Sequence, residues 1–203
     1  MTEGLIHNTD AELLDRYCDG EEAAFGEIVT RYKNGLYAFL RKFLNQHELV
    51  EDVFQETFLQ LYTSRASFDH SRPLRPWLFT IAANKAKDAL RKVQRTDAIS
   101  IGTLSSADEM SFEEVLNLLA CTNDAPLDTI EREETAQRVR QIIAHMPDSL
   151  REILVLAYFN RFSYKQMAEI LSIPIGTVKS RLHTAVARFA KEWNASKSSD
   201  GAR

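Results

Sequence analysis

The sequence predicts an all-α protein, with two small helical domains joined by an acidic flexible linker, and three observations support this class. Apolar residues recur at three- and four-residue steps along most of the chain, which is the period of an amphipathic helix. Glycine and proline are few, 7 and 5 among 203 residues, and alternating strand-like runs are missing. Between the helical parts, Ser, Thr, Asn and Asp become frequent. We expect a first domain at 1–95, the linker at 96–127, a second domain at 128–195 and a tail at 196–203.

The first domain is predicted to be a bundle of amphipathic helices from roughly residue 8 to 95. One apolar stripe spans residues 25–43 and a second spans 50–62. A third helix is expected from about 76 to 95, with leucine, isoleucine, alanine and valine along one side. Each stripe is wide enough to face a shared core.

The linker and the second domain carry fewer but clearer signals. Ser111 and Glu114 have the spacing of a capping box, which predicts one short helix at 111–119. A second helical unit follows from about 128 to 193. Pro147 separates its first helix from the apolar stretch DSLREILVLAYFN, because proline cannot continue a helix.

Charge is distributed unevenly along a chain whose formal net charge is −4 and whose pI is about 5.8. Residues 65–95 hold 8 basic and 2 acidic residues, and residues 161–193 hold 6 and 2. Between these basic islands, residues 96–135 hold 1 basic and 10 acidic residues. This asymmetry indicates a polyanionic partner more strongly than the overall pI does.

The second basic island has the pattern of a helix-turn-helix, FSYKQMAEILSIPIGTVKSRLHTAVARFAK at 162–191. Ser163 and Gln166 form a capping box that begins a short helix, and Pro174 ends it. On the next helix, apolar residues fall on one side and hydroxyls, a histidine and cations on the other. The candidates for DNA contact are Thr177, Lys179, Ser180, Arg181, His183 and Thr184. A DNA major groove accepts such a helix, although an ordinary helical hairpin with a solvated basic face has the same pattern.

The first basic island has aromatic residues among its cations, in SFDHSRPLRPW and the helix that follows it. The polar face of that helix carries Thr80, Asn84, Lys87, Asp88, Arg91 and Arg95. Lys87, Arg91 and Arg95 could bind phosphates, and Asn84 can both donate to and accept from an unpaired base. Phe68, Trp77 and two prolines could form a pocket for one base, because aromatic faces stack on unpaired bases. The alternative is that Trp77 and Phe79 belong only to the core and the cations only increase solubility.

Three motifs in order resemble a bacterial sigma-70 family factor of the extracytoplasmic-function (ECF) type. They are EDVFQETFLQLY, RPLRPWLFTIAANKAKDALR and MPDSLREILVLAYFNRFSYKQMAEILSIPIGTVKSRLH. The resemblance covers nearly the whole chain except the acidic linker and the ends. It implies a promoter-specificity subunit that binds core RNA polymerase, recognises the minus-thirty-five and minus-ten elements and promotes DNA melting. The alternative from the residues alone is a stand-alone helix-turn-helix repressor or activator.

The resemblance also implies roles for particular residues. Asp52, Gln55 and Glu56 match the motif with which the family docks on the clamp helices of the polymerase beta-prime subunit; without the resemblance they are a solvated acidic face. The first basic island matches the part that melts and reads the minus-ten element, with Asn84 at a base-contacting position. The minus-ten candidates are Phe68, Trp77, Asn84, Lys87, Asp88 and Arg91. The helix-turn-helix matches the reader of the minus-thirty-five element, and the acidic linker resembles the connector that threads near the polymerase active centre.

The same resemblance implies three partners: core RNA polymerase, through its beta-prime clamp and beta flap; promoter DNA; and an anti-sigma factor. The chain also departs from the family pattern. Basic residues are common in the family at the positions of Thr184 and near Ala187, and Ala, Ser or Thr is common at the position of Pro76. These departures leave the phosphate contacts and base preference at both sites open.

No catalytic or metal-binding pattern occurs in the sequence. The five histidines are dispersed, without a pair at metal-ligand spacing beside a carboxylate. Cys18 and Cys121 fit a reducing compartment better than a disulfide framework. No apolar run approaches the roughly 20 residues that span a bilayer, and the N-terminal residues lack a signal-peptide core. We therefore expect a cytoplasmic protein without membrane insertion that is not an enzyme and needs no cofactor.

Overall fold

The structure, a computed structural model, describes residues 8–44, 46–64, 68–69, 72–94, 112–120 and 130–200. These residues form helices and no strands, which confirms the predicted all-α class. They fall into two compact units, one with the residues up to 97 together with Glu169–Ser172 and the other with the remaining residues. Most of the predicted linker, together with Ser111 and Arg95, lies outside the described residues, so the linker bounds stay a prediction.

Within the described residues, the first unit contains the helices α1 Asp10–Cys18, α2 Glu22–Phe43, α3 His47–Ser64 and α4 Leu74–Gln94. α1 packs on α2, α2 packs on α3 and α4, and α3 packs on α4. The fully buried side chains at their centre include Ile28, Leu36, Phe39, Leu40, Phe43, Leu61, Leu78 and Phe79. The two predicted stripes therefore face the core, although Tyr62, at the end of the second, is 42% exposed.

α1 lies within the predicted bundle, although the sequence prediction assigns no apolar stripe to it. It begins with a capping box, in which Thr9 Oγ1 accepts from the amide of Glu12 at 3.3 Å and Glu12 Oε2 accepts from the amide of Thr9 at 2.7 Å. Leu13 and Leu14 bury its apolar side. Nine residues are too few for a stable isolated helix, so packing on α2 supplies the rest of its stability. Gly20, with a φ of 98°, turns the chain into α2 in a conformation that suits glycine.

α4 begins at Leu74, two residues earlier than the predicted start near Pro76. Proline is tolerated there because the first amide groups of a helix have no acceptor within it. The carbonyl of Pro76 accepts from Thr80 Oγ1 at 2.9 Å. Trp77, expected at the end of a proline-stiffened loop, therefore lies in the first turn of α4, and only Pro73 remains in the loop.

Within the described residues, the second unit contains α5 Phe112–Ala120, α6 Ile130–His145, α7 Asp148–Tyr158, the first five residues of α8 Tyr164–Leu171, and α9 Ile175–Asp200. α9 is the central helix, on which α5, α6 and α7 pack. The predicted short helix of the linker is present as α5. It also packs on α6, with Val115 and Leu119 buried, which its composition did not indicate. Residues 196–200, predicted as part of a tail, continue α9.

A buried arginine fixes the junction between α6 and α7. Arg151 is 4% exposed, donates to the carbonyl of Ala144 at 2.8 Å and forms an ion pair with Asp148. Burial lowers the pKa of the Arg151 guanidinium, and the Asp148 carboxylate opposes that shift. The guanidinium thus satisfies carbonyl oxygens at the end of α6, where Pro147 interrupts the helical hydrogen bonds.

Candidate nucleic-acid interface

The outer face of α4 presents the polar residues predicted to meet the minus-ten element. Asn84, Asp88 and Arg91 are exposed and Lys87 is half-buried, and their spacing puts them on one side of the helix. Asn84 makes no side-chain hydrogen bond to the described residues, so its amide can both donate and accept. Arg91 donates to Asp88 at 3.2 Å. Because this pair is exposed and worth little, Arg91 can exchange the carboxylate for a phosphate.

The two aromatic candidates before and within α4 lie against each other. The ring centroids of Phe68 and Trp77 are 4.4 Å apart, with Phe68 8% exposed and Trp77 half-buried. A base inserted between two rings needs about 7 Å between them, twice a normal carbon contact. The rings therefore do not frame an open slot for a base. Phe79 is 1% exposed, so for this ring the core alternative is correct.

The three residues predicted to dock on polymerase share an exposed face of α3. Asp52, Gln55 and Glu56 are all exposed. Leu59 lies on the same face one turn further along and is 62% exposed, which makes it the most exposed of the large apolar residues in the described chain. The sequence interpretation missed Leu59, although its position four residues after Gln55 could have indicated it.

An ion pair joins this face of α3 to α4. Lys85 Nζ lies 3.1 Å from Glu56 Oε2, with the lysine side chain 24% exposed and the glutamate 60% exposed. Lys85 follows Asn84 directly, so the predicted docking residues and the predicted minus-ten residues are neighbours in space. The sequence interpretation counted Lys85 only as charge, because a pair 29 residues apart in sequence leaves no local signal.

The predicted helix-turn-helix is formed by α8 and α9. The capping box is confirmed: Ser163 Oγ accepts from the amide of Gln166 at 3.3 Å, and Gln166 Oε1 accepts from the amide of Ser163 at 2.9 Å. α8 ends at Leu171, and the next residue, Ser172, has a left-handed φ of 53°. There the amide of Ser172 donates to Glu169 and that of Ile173 to Ala168, a Schellman arrangement that satisfies the last carbonyls.

The outer face of α9 carries all six of the minus-thirty-five candidates. Lys179, Ser180, His183 and Thr184 are exposed, and Thr177 and Arg181 are half-buried. The opposite side is buried through Val178, Leu182, Ala185, Val186 and Phe189. Two hydroxyls donate back to their own helix, Ser180 to the Thr177 carbonyl at 3.2 Å and Thr184 to the Ser180 carbonyl at 2.9 Å. Their lone pairs thus remain available to accept hydrogen bonds.

The sequence interpretation missed two exposed apolar residues of the helix-turn-helix. Tyr164 and Ile175 are 43% and 45% exposed and are the first residues of α8 and α9. Ile175 thus lies at the N-terminal end that a recognition helix presents to base edges. Among the described residues no group of His, Cys, Asp and Glu could hold a metal ion, and no helix there has the length and apolarity that crossing a membrane requires.

Family models match both parts of the chain. The model for sigma-70 region 2 matches residues 28–96, and the model for sigma-70 region 4 matches residues 136–189. The chain is 31% identical over 173 residues to an ECF RNA polymerase sigma factor, SigW of Bacillus subtilis, with 85% of this chain and 90% of SigW covered. It is 30% identical over 181 residues to the ECF sigma-E factor of Haemophilus influenzae, with 87% of this chain and 91% of that one covered.

Two solved structures share the fold. CnrH in complex with the cytosolic domain of CnrY superposes with a TM-score of 0.64 at 24% identity, covering 93% of this chain and 99% of that one. The sigma factor RpoE in complex with the anti-sigma factor NepR, from Bartonella quintana, gives a TM-score of 0.62 at 24% identity, covering 84% and 96%. With both sigma-70 regions matched in order and a relative aligned over nearly its whole length, this chain belongs to the ECF sigma factors of the sigma-70 family, which are promoter-specificity subunits of RNA polymerase.

Proposed function

We propose that this sigma factor uses three exposed helix faces, each for a different contact. The α3 face docks on core polymerase, the α4 face opens and reads the minus-ten element, and the α9 face reads the minus-thirty-five element. The observation that supports this division is that, on each helix, the predicted contact residues are exposed or half-buried while the opposite apolar side is buried.

The α3 face has the composition of a docking surface. Asp52 and Glu56 give it negative charge, which suits a basic partner surface and guides its approach. Leu59 adds an exposed apolar contact beside these polar residues, and apolar contacts form the core of many protein interfaces. We assign this face to the clamp helices of the beta-prime subunit of core RNA polymerase and the second unit to the beta flap.

Strand opening at the minus-ten element requires no reaction at this chain. Unstacking a base costs a few kcal/mol, which binding of the extruded base returns. Asn84 can recognise the edge of that base, and Lys87 and Arg91 can bind the adjacent phosphates. Because the rings of Phe68 and Trp77 are in contact, the base would stack on the outer face of Trp77 or displace Phe68. The proposed function thus consists of binding and distorting DNA, and the chain acts without catalysis.

Recognition of the minus-thirty-five element is assigned to the first turns of α9. Gly176 is exposed and has nothing within 4 Å of the place where a side chain would be, so DNA backbone can approach closely there. Ser180 and Thr184 can accept hydrogen bonds from base amino groups, and Lys179 can bind a phosphate. The absence of basic side chains at Thr184 and Ala187 predicts fewer phosphate contacts along this helix than the family pattern provides.

An anti-sigma factor is a further expected partner. One of the two solved neighbours is a complex of this kind, in which the sigma factor RpoE is bound to the anti-sigma factor NepR, and the other holds CnrH bound to the cytosolic domain of CnrY. Such a partner would keep the chain from polymerase until a signal arrives. We place both in the cytoplasm, where polymerase and promoters are.

In vitro transcription with core polymerase on a promoter library tests the proposed function. The chain should co-purify with core enzyme, direct initiation from a defined set of promoters and bind those promoters weakly when core is absent. Tight, sequence-specific binding of duplex DNA by the chain alone, without transcription when core is added, would instead indicate a stand-alone repressor or activator.

A further inference from the structure

The ion pair between Lys85 and Glu56 lies between two surfaces of different proposed partners. Glu56 belongs to the α3 face that is proposed to bind polymerase. Lys85 sits about 100° around α4 from Asn84, at the edge of the face that is proposed to bind DNA. Their charged groups are 3.1 Å apart, so each is the counter-ion of the other in the free chain.

We propose that Lys85 is a further DNA-phosphate contact, whose charge Glu56 holds back until polymerase engages the Glu56 carboxylate. The inference rests on the proposed function, because it needs α3 to dock on polymerase and α4 to meet DNA. The lysine side chain is three-quarters covered while its partner is 60% exposed, so an incoming cation can reach Glu56. Once that cation replaces Lys85, the ammonium group on its flexible stem is free to turn toward a phosphate.

The arrangement makes docking and DNA binding mutually favourable. In the free chain, a phosphate near α4 must compete with Glu56 for Lys85, and the carboxylate also repels the phosphate. In the holoenzyme, both obstacles are removed at the same contact. The coupling is reciprocal: when DNA binds Lys85, the Glu56 carboxylate is left available for polymerase, which strengthens the docking of the chain on polymerase. Because an exposed ion pair is weak, the expected effect is about two- to five-fold in affinity.

The first test is a double-mutant cycle on the free chain, with a short fluorescein-labelled single-stranded oligonucleotide and fluorescence anisotropy at low salt. E56Q should raise the affinity about two- to five-fold, and E22Q, which removes an equal charge from an exposed position on α2, should raise it less. K85Q should have little effect in the wild-type chain and should abolish the gain when combined with E56Q. Equal effects of K85Q in both backgrounds would show that Glu56 does not hold Lys85 back.

The second test uses the holoenzyme, formed with saturating sigma factor, on a promoter selected by transcription with it. K85Q should weaken the promoter complex and reduce the slope of log affinity against log salt by about 0.7 to 0.9, the value of one phosphate contact. K33Q, at an exposed lysine on α2, should change neither, and E56Q should no longer alter the effect of K85Q. A K85Q holoenzyme with the wild-type affinity and salt slope would overturn the proposal. If the wild-type holoenzyme forms no promoter-specific complex, the proposed function is wrong, and so is the proposal that docking releases Lys85 for DNA. The double-mutant cycle on the free chain would still measure how strongly Glu56 and Lys85 are coupled.

Discussion

The ring of Phe68 rests on the ring of Trp77, with 4.4 Å between their centroids. Phe68 follows the end of α3 and Trp77 lies in the first turn of α4, so this contact holds Phe68 against the helix that is proposed to open DNA. Phe68 therefore has a structural role whether or not it also stacks on a base.

Two substitutions of Phe68 separate these roles. F68A should lower the free energy of unfolding by about 3 kcal/mol, because it leaves a cavity against Trp77. F68L keeps most of the buried volume and should cost under about 1.5 kcal/mol. If the ring also stacks on a base, F68L should still impair opening of the minus-ten element. Urea denaturation and permanganate footprinting measure the two effects, and normal stability in F68A would show that the contact contributes little.

The sequence predicted the parts of the fold that depend on local chemistry. The capping box of Ser163 and Gln166 and the apolar side of α9 involve residues within one or two helical turns, so spacing alone reveals them. The ion pair of Lys85 with Glu56 was not predictable, because it arises when α3 and α4 pack together. The direct contact between Phe68 and Trp77 was not predicted either, because it also depends on packing, and the start of α4 was expected about two residues too late, near Pro76.

The capping box of α8 should contribute measurably to stability. Replacing Ser163 with alanine removes the acceptor for the Gln166 amide, and the loss of an N-cap costs about 1 kcal/mol. Urea denaturation of the full chain, followed by circular dichroism, should show this decrease. T63A is the matched control, because Thr63 is an exposed hydroxyl residue inside α3 and alanine favours helix there. A loss of the same size in T63A would mean that the cap has no special role.

The α3 face should decide binding to core polymerase. The double substitution D52A/Q55A removes two exposed contacts, and residues important to an interface cost more than about 1 kcal/mol each. We expect core affinity to fall at least about 10-fold while helical content stays unchanged. A pull-down titration with core enzyme measures this loss, with E22A/N34A on the exposed side of α2 as the control. Wild-type affinity in D52A/Q55A would rule out docking through these residues.

The hydroxyls of α9 should recognise bases that present amino groups. Ser180 and Thr184 donate to their own helix, so toward DNA they act as acceptors, which favours cytosine N4 or adenine N6. S180A and T184A should each reduce discrimination at one position by about 1–3 kcal/mol. K179A should weaken all promoters evenly, because a phosphate contact carries no base information. Selection of minus-thirty-five sequences with each variant holoenzyme checks this, and unchanged preferences in both hydroxyl variants would remove them from the interface.

Asn84 should act in strand opening without any part in the fold. Its side chain is exposed on α4, and it lies on the same side as Arg91, away from the buried apolar residues. A structural asparagine would instead be buried against hydrogen-bonding partners. N84A should therefore leave thermal stability and core binding unchanged and impair opening of the minus-ten element.

The kind of defect in N84A distinguishes a role in DNA melting from a role in base recognition. If Asn84 helps to extrude a base, the N84A defect should shrink on a template already mismatched across the minus-ten region, because the cost of unstacking has been removed there. If Asn84 reads the base, loss of discrimination should persist on the mismatched template. Permanganate footprinting of unpaired thymines on both templates, with each base substituted in turn, separates the two roles. Normal opening and normal base preference in N84A would make Asn84 an ordinary solvated helix residue, and the minus-ten assignment of α4 would then depend on Lys87 and Arg91.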